Sequence, residues 1–244
     1  MKIFFAKIMA VWALLIFFIT MLIPTLILWV IVLIDEPRRT QVFRVTVQAW
    51  MRIFFFLTGC GFKVKGKENF KKGKNYIVTC NHNSLMDVPC TTPFIPGANK
   101  TIAKIEMSRI PVFGLIYKRG SVLVDRNNKD SRKDSFSKMK AVLSNGMHMC
   151  IYPEGTRNKT NHPLTPFHDG AFKLAVETGN SIIPTLIFNS KKVMPVSKGF
   201  YFWPANMEMH FLPEIPVQKG ENYEALKENV YKVMEKYYES NRKV

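Results

Sequence analysis

Asn81-His82-Asn83-Ser84-Leu85-Met86-Asp87 closes a short apolar run, Tyr76-Ile77-Val78-Thr79-Cys80. The run reads as a buried strand, and the polar stretch as the turn into which it opens. A histidine leaving a strand, with a carboxylate five residues later, is the simplest way to build a general base. Imidazole titrates near pH ~6.5 when unperturbed, so it accepts a proton near neutrality. A carboxylate bonded to its second nitrogen fixes the tautomer and stabilises the imidazolium. A lone His and Asp at this spacing are more often a surface or capping pair. A second polar cluster, Tyr152-Pro153-Glu154-Gly155-Thr156-Arg157, shifts the balance, because it too ends an apolar run.

Outward from these clusters, strand-like and helix-like stretches alternate. Residues 62–67, 76–80, 100–104, 121–124, 147–152 and 181–188 read as strands, and 207–212 as an outer strand. Helices are expected after Ser84 and over about 106–117 (interrupted at Pro111 and Gly114), 131–143, 171–177 and 223–238. The alternation predicts an α/β fold, a mixed central sheet flanked by helices. In such sheets ligands bind outside the carboxyl ends of the strands, where both polar clusters fall.

The N-terminus is different. Residues 8–34 carry no charge, 27 in a row, against the ~20 that a bilayer core requires. The run is long for a signal peptide, and Pro24 permits a kinked or re-entrant helix as readily as a straight one. Residues 41–57 are apolar but carry Arg44, Gln48 and Arg52, as an interfacial amphipathic helix would. The two segments are expected to form a membrane-embedded or interfacial helical hairpin. The chain then divides at 1–58, membrane-anchoring helices, and 59–244, the α/β domain.

Lys and Arg total 35 against 18 Asp and Glu, a net charge of +17 over 244 residues. An excess of this size implies an anionic partner. The basic residues are dispersed rather than gathered in a nucleic-acid motif, so anionic membrane lipid is expected and nucleic acid is not. Cys60, Cys80, Cys90 and Cys150 show no C-x-x-C pair, and they read as structural thiols in a reducing compartment. His82, Asp87, His168 and Asp169 match no standard ligand spacing, and no metal is expected. A G-x-S-x-G elbow is missing, which argues against a lipid hydrolase.

Two further stretches complete a pattern: Gly120-Ser121-Val122-Leu123-Val124-Asp125-Arg126 and the apolar Ser181-Ile182-Ile183-Pro184. In this order and spacing, behind an apolar N-terminus, the chain resembles the glycerolipid acyltransferase family, and within it the 1-acylglycerol-3-phosphate (lysophosphatidate) acyltransferases. The family's N-H-x-x-x-x-D motif is met in full by Asn81, His82 and Asp87. Its F-P-E-G-T-R motif is met from Pro153 to Arg157, with Tyr152 replacing phenylalanine. G-x-x-F-I-x-R is met at Gly120 and Arg126, with Leu123 and Val124 as apolar substitutes, and Pro184 fits the looser fourth motif.

The resemblance implies transfer of a fatty acyl group from acyl-CoA or acyl-acyl carrier protein to the sn-2 hydroxyl of 1-acylglycerol 3-phosphate, giving phosphatidic acid for phospholipid synthesis. Glycerol 3-phosphate or another lysophospholipid is the alternative acceptor. A membrane-tethered, non-enzymatic binder of anionic ligands is the remote one. By the same resemblance His82 is the base and Asp87 its partner. Arg126, Arg157 and Lys104 are expected at the substrate's anionic groups, and Glu154, Gly155 and Thr156 at the substrate too. Glu154 is expected to orient Arg157 or the glycerol hydroxyl. No cofactor beyond the thioester co-substrate is expected; acyl carrier protein is a candidate partner. The catalytic domain is expected on the cytoplasmic face of the inner or plasma membrane. The segment Phe167-His168-Asp169-Gly170 departs from relatives, which commonly carry basic residues there.

Overall fold

The computed structural model describes residues 1–242. It opens with a helical hairpin, α1 (Lys2–Ile31) and α2 (Arg38–Leu57). α1 begins earlier than the uncharged run, because Lys2 and Lys7 do not interrupt helix formation, and it continues through Pro24. Polar and aromatic contacts join the two helices: Trp50 Nε1 donates to Thr20 Oγ1 at 2.8 Å, and Trp12 Nε1 to the Leu57 carbonyl at 2.9 Å. The outward side chains of α1 remain bare, with Leu26 69% and Trp29 73% exposed.

Seven strands follow, β1 (Phe62–Lys65), β2 (Ile77–Cys80), β3 (Asn99–Lys104), β4 (Ser121–Val124), β5 (His148–Ile151), β6 (Ile182–Phe188) and β7 (Met207–Phe211). Their order in the sheet is β1-β7-β6-β2-β5-β3-β4. All neighbours are parallel except β6 and β7. The sheet is mixed, as the sequence pattern predicts. β7 is not its outer strand, however, since β1 pairs alongside it and takes the edge. β1 alternates in burial, as an edge strand with one wet face does, whereas β2, β5 and β6 are buried at every position.

Alternate residues of β2 serve opposite cores. Tyr76, just before the strand, Val78 and Cys80 join α1, α2, α3 (Asp87–Thr91) and α4 (Phe113–Arg119). Ile77 faces α5 (Lys129–Ser144), α6 (Gly170–Thr178) and α8 (Tyr223–Asn241). The N-terminal hairpin thus shares a core with one face of the sheet. A single turn, α7 (Ser190–Val193), follows β6.

Helix limits follow local chemistry. Asn128 caps α5 by accepting from the N–H groups of Asp130 and Ser131, so the helix starts two residues before the expected Ser131. The stretch over 106–117 is interrupted at Pro111 as expected, into a 3-10 turn, Ile105–Arg109, and α4, whereas Gly114 lies within α4.

Topology places the crevice. β5 inserts between β2 and β3, so β2 and β5 are parallel neighbours, with Thr79 opposite Ile151. The chain leaves β2 toward α3 on one face and leaves β5 toward α6 on the other. Their carboxyl ends therefore flank a switch point, where an open α/β sheet gapes.

Candidate active site

His82 and Asp87 face each other at the carboxyl end of β2. His82 Nδ1 lies 2.9 Å from Asp87 Oδ2. The Asp87 side chain is fully buried, while His82 keeps 19% of its side-chain surface. The same oxygen accepts the N–H groups of Asn83 at 2.6 Å and Ser84 at 2.7 Å. An ionised carboxylate only accepts hydrogen bonds, so Nδ1 carries the proton and Nε2 is left with its lone pair. The turn that forms the carboxylate's cradle also delivers the histidine. Asn81 anchors the turn from below: its side-chain amide pairs with the backbone of Ile187 on β6, at 3.1 and 2.7 Å.

The second cluster is fastened to the first at both ends of one peptide. Glu154 Oε1 accepts the His82 N–H at 2.7 Å, and the Asn158 N–H donates to the His82 carbonyl at 2.6 Å. Glu154 Oε2 accepts both the N–H (2.9 Å) and the hydroxyl (2.6 Å) of Thr165. Glu154 is 2% exposed, and burial pushes its carboxyl above the usual range against the opposing pull of these donors. Its oxygens are therefore committed to the protein. Its partners in this structure are His82 and Thr165 rather than Arg157. Thr165 and Asn158 belong to the site's support and carry no sequence signal, because their placement beside Glu154 and His82 is set by the fold.

Tyr152 lies under the imidazole, its ring centroid 4.5 Å away and inclined by 36°. Its hydroxyl bonds Thr91, whose own hydroxyl reaches the Asp87 carbonyl. Burial holds this phenol well above its ordinary range, so it stays protonated. Cys80 and Cys90 are fully buried, and burial pushes both thiols well up. Neither is a nucleophile at neutral pH.

Cationic side chains lie on the neighbouring turns. Arg126, leaving β4, donates to the Gly155 carbonyl and so reaches the turn that Glu154 fastens to His82. Gly155 has φ +69, which favours glycine, and a Cβ there would stand 2.6 Å from Cδ2 of the exposed His168 ring, which would have to swing away. Thr156 is exposed and Arg157 half-buried in the same turn. Lys104 ends β3 with its side chain exposed. Nearby, burial pushes the Tyr117 phenol up, against the opposing pull of the Lys104 backbone and the Arg126 charge. Tyr117, absent from the site residues expected from sequence, lies near both Lys104 and Arg126. Asp169 pairs with Lys227 Nζ at 2.6 Å and with Lys173 at 3.5 Å, apart from the His82 pair.

A buried carboxylate fixing an imidazole, on the carboxyl edge of a mixed α/β sheet, is an arrangement suited to general-base chemistry. A family profile described as Acyltransferase matches residues 61–188, just over half of the chain. The chain belongs to that family. Among its relatives, the 1-acyl-sn-glycerol-3-phosphate acyltransferase of Helicobacter pylori is 31% identical over 188 residues, covering 76% of this chain and 78% of the relative. The protein of the same name from Borreliella burgdorferi is 29% identical over 196 residues, 78% and 75% of the two chains. The chain spans only 56% of the corresponding coconut protein, at 30% identity over 70% of its own length. The crystal structure of the 1-acyl-sn-glycerophosphate (LPA) acyltransferase PlsC from Thermotoga maritima superimposes with a TM-score of 0.85. That match covers all of both chains at 22% identity, and it establishes the shared fold.

Proposed function

We propose that the protein transfers a fatty acyl group from an acyl thioester, acyl-CoA or acyl-acyl carrier protein, to the sn-2 hydroxyl of 1-acylglycerol 3-phosphate, giving phosphatidic acid. The observation that carries this reading is the His82–Asp87 pair, with Nδ1 committed and Nε2 left as the acceptor. The names of the relatives support the choice of acceptor.

His82 Nε2 takes the hydroxyl proton as the oxygen attacks the thioester carbon. The imidazolium that forms is stabilised by Asp87. General-base help of this kind gives roughly 10²–10⁴-fold. As the tetrahedral intermediate collapses, the C–S bond breaks and the proton passes from Nε2 to the departing thiolate. The Gly155 N–H is already used by the Tyr152 carbonyl. Donors to the oxyanion are therefore assigned to the turn that follows, at Thr156 and Arg157. Arg126 and Arg157 hold the glycerol phosphate, a task that suits the guanidinium fork, and Lys104 adds charge at the rim.

Membrane attachment through the hairpin belongs to the same reading. α1 is long and apolar enough to cross a bilayer. Its first half, however, lies against the α/β domain: Phe5 meets Trp203 at 5.5 Å, Phe17 meets Phe113 at 6.1 Å, and the Phe202 N–H donates to the Ala6 carbonyl. A helix so flanked is not sheathed in lipid all round, which favours a hairpin lying in one leaflet. The catalytic domain then faces the cytoplasm, where the thioester donors are found, and four free, buried cysteines suit that compartment.

An assay of purified protein with labelled acyl-CoA and acyl-acyl carrier protein against a panel of acceptors tests the proposal. Phosphatidic acid from 1-acylglycerol 3-phosphate is the expected product. Faster acylation of glycerol 3-phosphate, or of a lysolipid without a phosphomonoester, would overturn the assignment.

A further inference from the structure

The segment joining β3 to β4 is turned the wrong way for a protein surface in water. Ser108, Gly114 and Ile116 point inward and are buried. Met107, Ile110, Val112 and Leu115 point outward at 36%, 38%, 41% and 48% exposure. Val112 also has φ +61 and ψ −58, a conformation that β-branched residues avoid, so strain is held at an exposed apolar position.

Arginine and lysine frame this patch. Arg109 and Lys118 are exposed and Arg119 half-buried, with Glu106 the one acid between Lys104 and Gly120. Among the described residues none of these three cations pairs with a carboxylate. The patch also adjoins the bare apolar side of the hairpin, because α4 packs against α1 and Phe113 sits 6.1 Å from Phe17.

We propose that the 3-10 turn Ile105–Arg109 and α4 form a third membrane contact, an interfacial lip that rests on an anionic bilayer surface. Apolar side chains enter the acyl boundary while Arg109, Lys118 and Arg119 meet lipid phosphates, the division of labour of an interfacial element. The lip connects Lys104 at the end of β3 to β4 and Arg126. Seated on the bilayer, it sets these cationic side chains at headgroup level, and a lysolipid reaches His82 without crossing water. This inference rests on the membrane reading of the hairpin and extends it to the catalytic domain.

The test is collisional quenching by spin-labelled lipid in bilayers containing phosphatidylglycerol. The full chain carries one fluorophore at Ile110→Cys, Leu115→Cys, Leu26→Cys in α1 or Lys133→Cys in α5; the four native cysteines are buried. Quenching at 110 and 115 is expected to match that at 26 and to exceed that at 133 severalfold. Quenching at 26 with none above the level of 133 at 110 and 115 would overturn the lip while leaving the hairpin anchored. Loss of quenching at 26 would instead refute the membrane reading on which the lip rests. Protection at 115 that vanishes in discs holding one copy would make a second protein molecule the occupant and overturn the proposal. Independently, the double variant Ile110→Glu/Leu115→Glu is expected to lose severalfold activity on bilayer-embedded lysolipid and to keep it on a soluble short-chain analogue. Equal activity on the embedded substrate would contradict the lip.

Discussion

Glu154 Oε1 accepts the backbone N–H of His82 at 2.7 Å, so the acid of the second cluster grips the peptide that carries the proposed base. Its other oxygen holds Thr165 through two further donors. Glu154→Ala strands three part-buried donors, at a cost of about 1–3 kcal/mol for any that water does not reach. A lower unfolding midpoint is therefore expected together with loss of turnover. Glu154→Gln should fall between, since one amide nitrogen must face a donor. Thermal unfolding in detergent, run beside kcat, checks this; a Glu154→Ala protein as stable as the parent would contradict it.

Tyr152 divides into a ring that carries His82 and a hydroxyl that ties Thr91. Removing the hydroxyl alone, in Tyr152→Phe, should cost about 1 kcal/mol and leave most of the activity. Removing the ring, in Tyr152→Ala, should cost about 3–5 kcal/mol and lower kcat severalfold as the imidazole loses its floor. Equal effects of the two variants would show that the ring does not position His82.

The turn from Asn81 to Asp87 was legible because strand, histidine and carboxylate are local in the chain, and the geometry agrees with the reading. Strand positions are legible for a related reason: β2, β5 and β6 are near-continuous apolar runs, as buried parallel strands tend to be. What escaped was set by distance along the chain. β7 looked like an outer strand because nothing in residues 207–212 tells that β1 will lie alongside it. The donors that hold Glu154, His82 and Thr165, come from two different loops, so its place under the His82 backbone has no local signal. Tyr117 sits in an apolar helix, and nothing local in the chain signals its place near Lys104 and Arg126.

Arg126 is the cation tied to the turn beside His82. A charge-assisted hydrogen bond contributes about 1.5–3 kcal/mol, so Arg126→Ala should raise the KM for the phosphate acceptor roughly 10–100-fold. The effect on kcat should be smaller. Arg126→Lys should recover only part of the loss, because it restores charge without the fork. Steady-state kinetics with the acceptor varied decides it; a fall in kcat at constant KM would contradict the phosphate role.

His148 is buried on β5, where Nδ1 accepts the Tyr76 N–H at 3.0 Å. Burial lowers its pKa from 6.5 to about 4, against an opposing backbone bond at Pro96 and with a small push from Arg44. The unfolded chain thus binds the extra proton first. This contribution to stability is complete above pH ~6.5 and is lost as pH falls toward ~4, by up to about 3 kcal/mol. His148→Gln should flatten that part of the stability profile. Identical pH dependence of unfolding between pH 7 and 4.5 in parent and variant would count against it.

His82→Ala tests the account most directly. Purified and reconstituted beside the parent, the variant should keep its unfolding midpoint and its attachment to vesicles while acyl transfer drops by roughly 10²–10⁴-fold. Transfer at the parental rate from the same folded, membrane-bound protein would contradict the central claim that His82 Nε2 removes the proton from the acceptor hydroxyl.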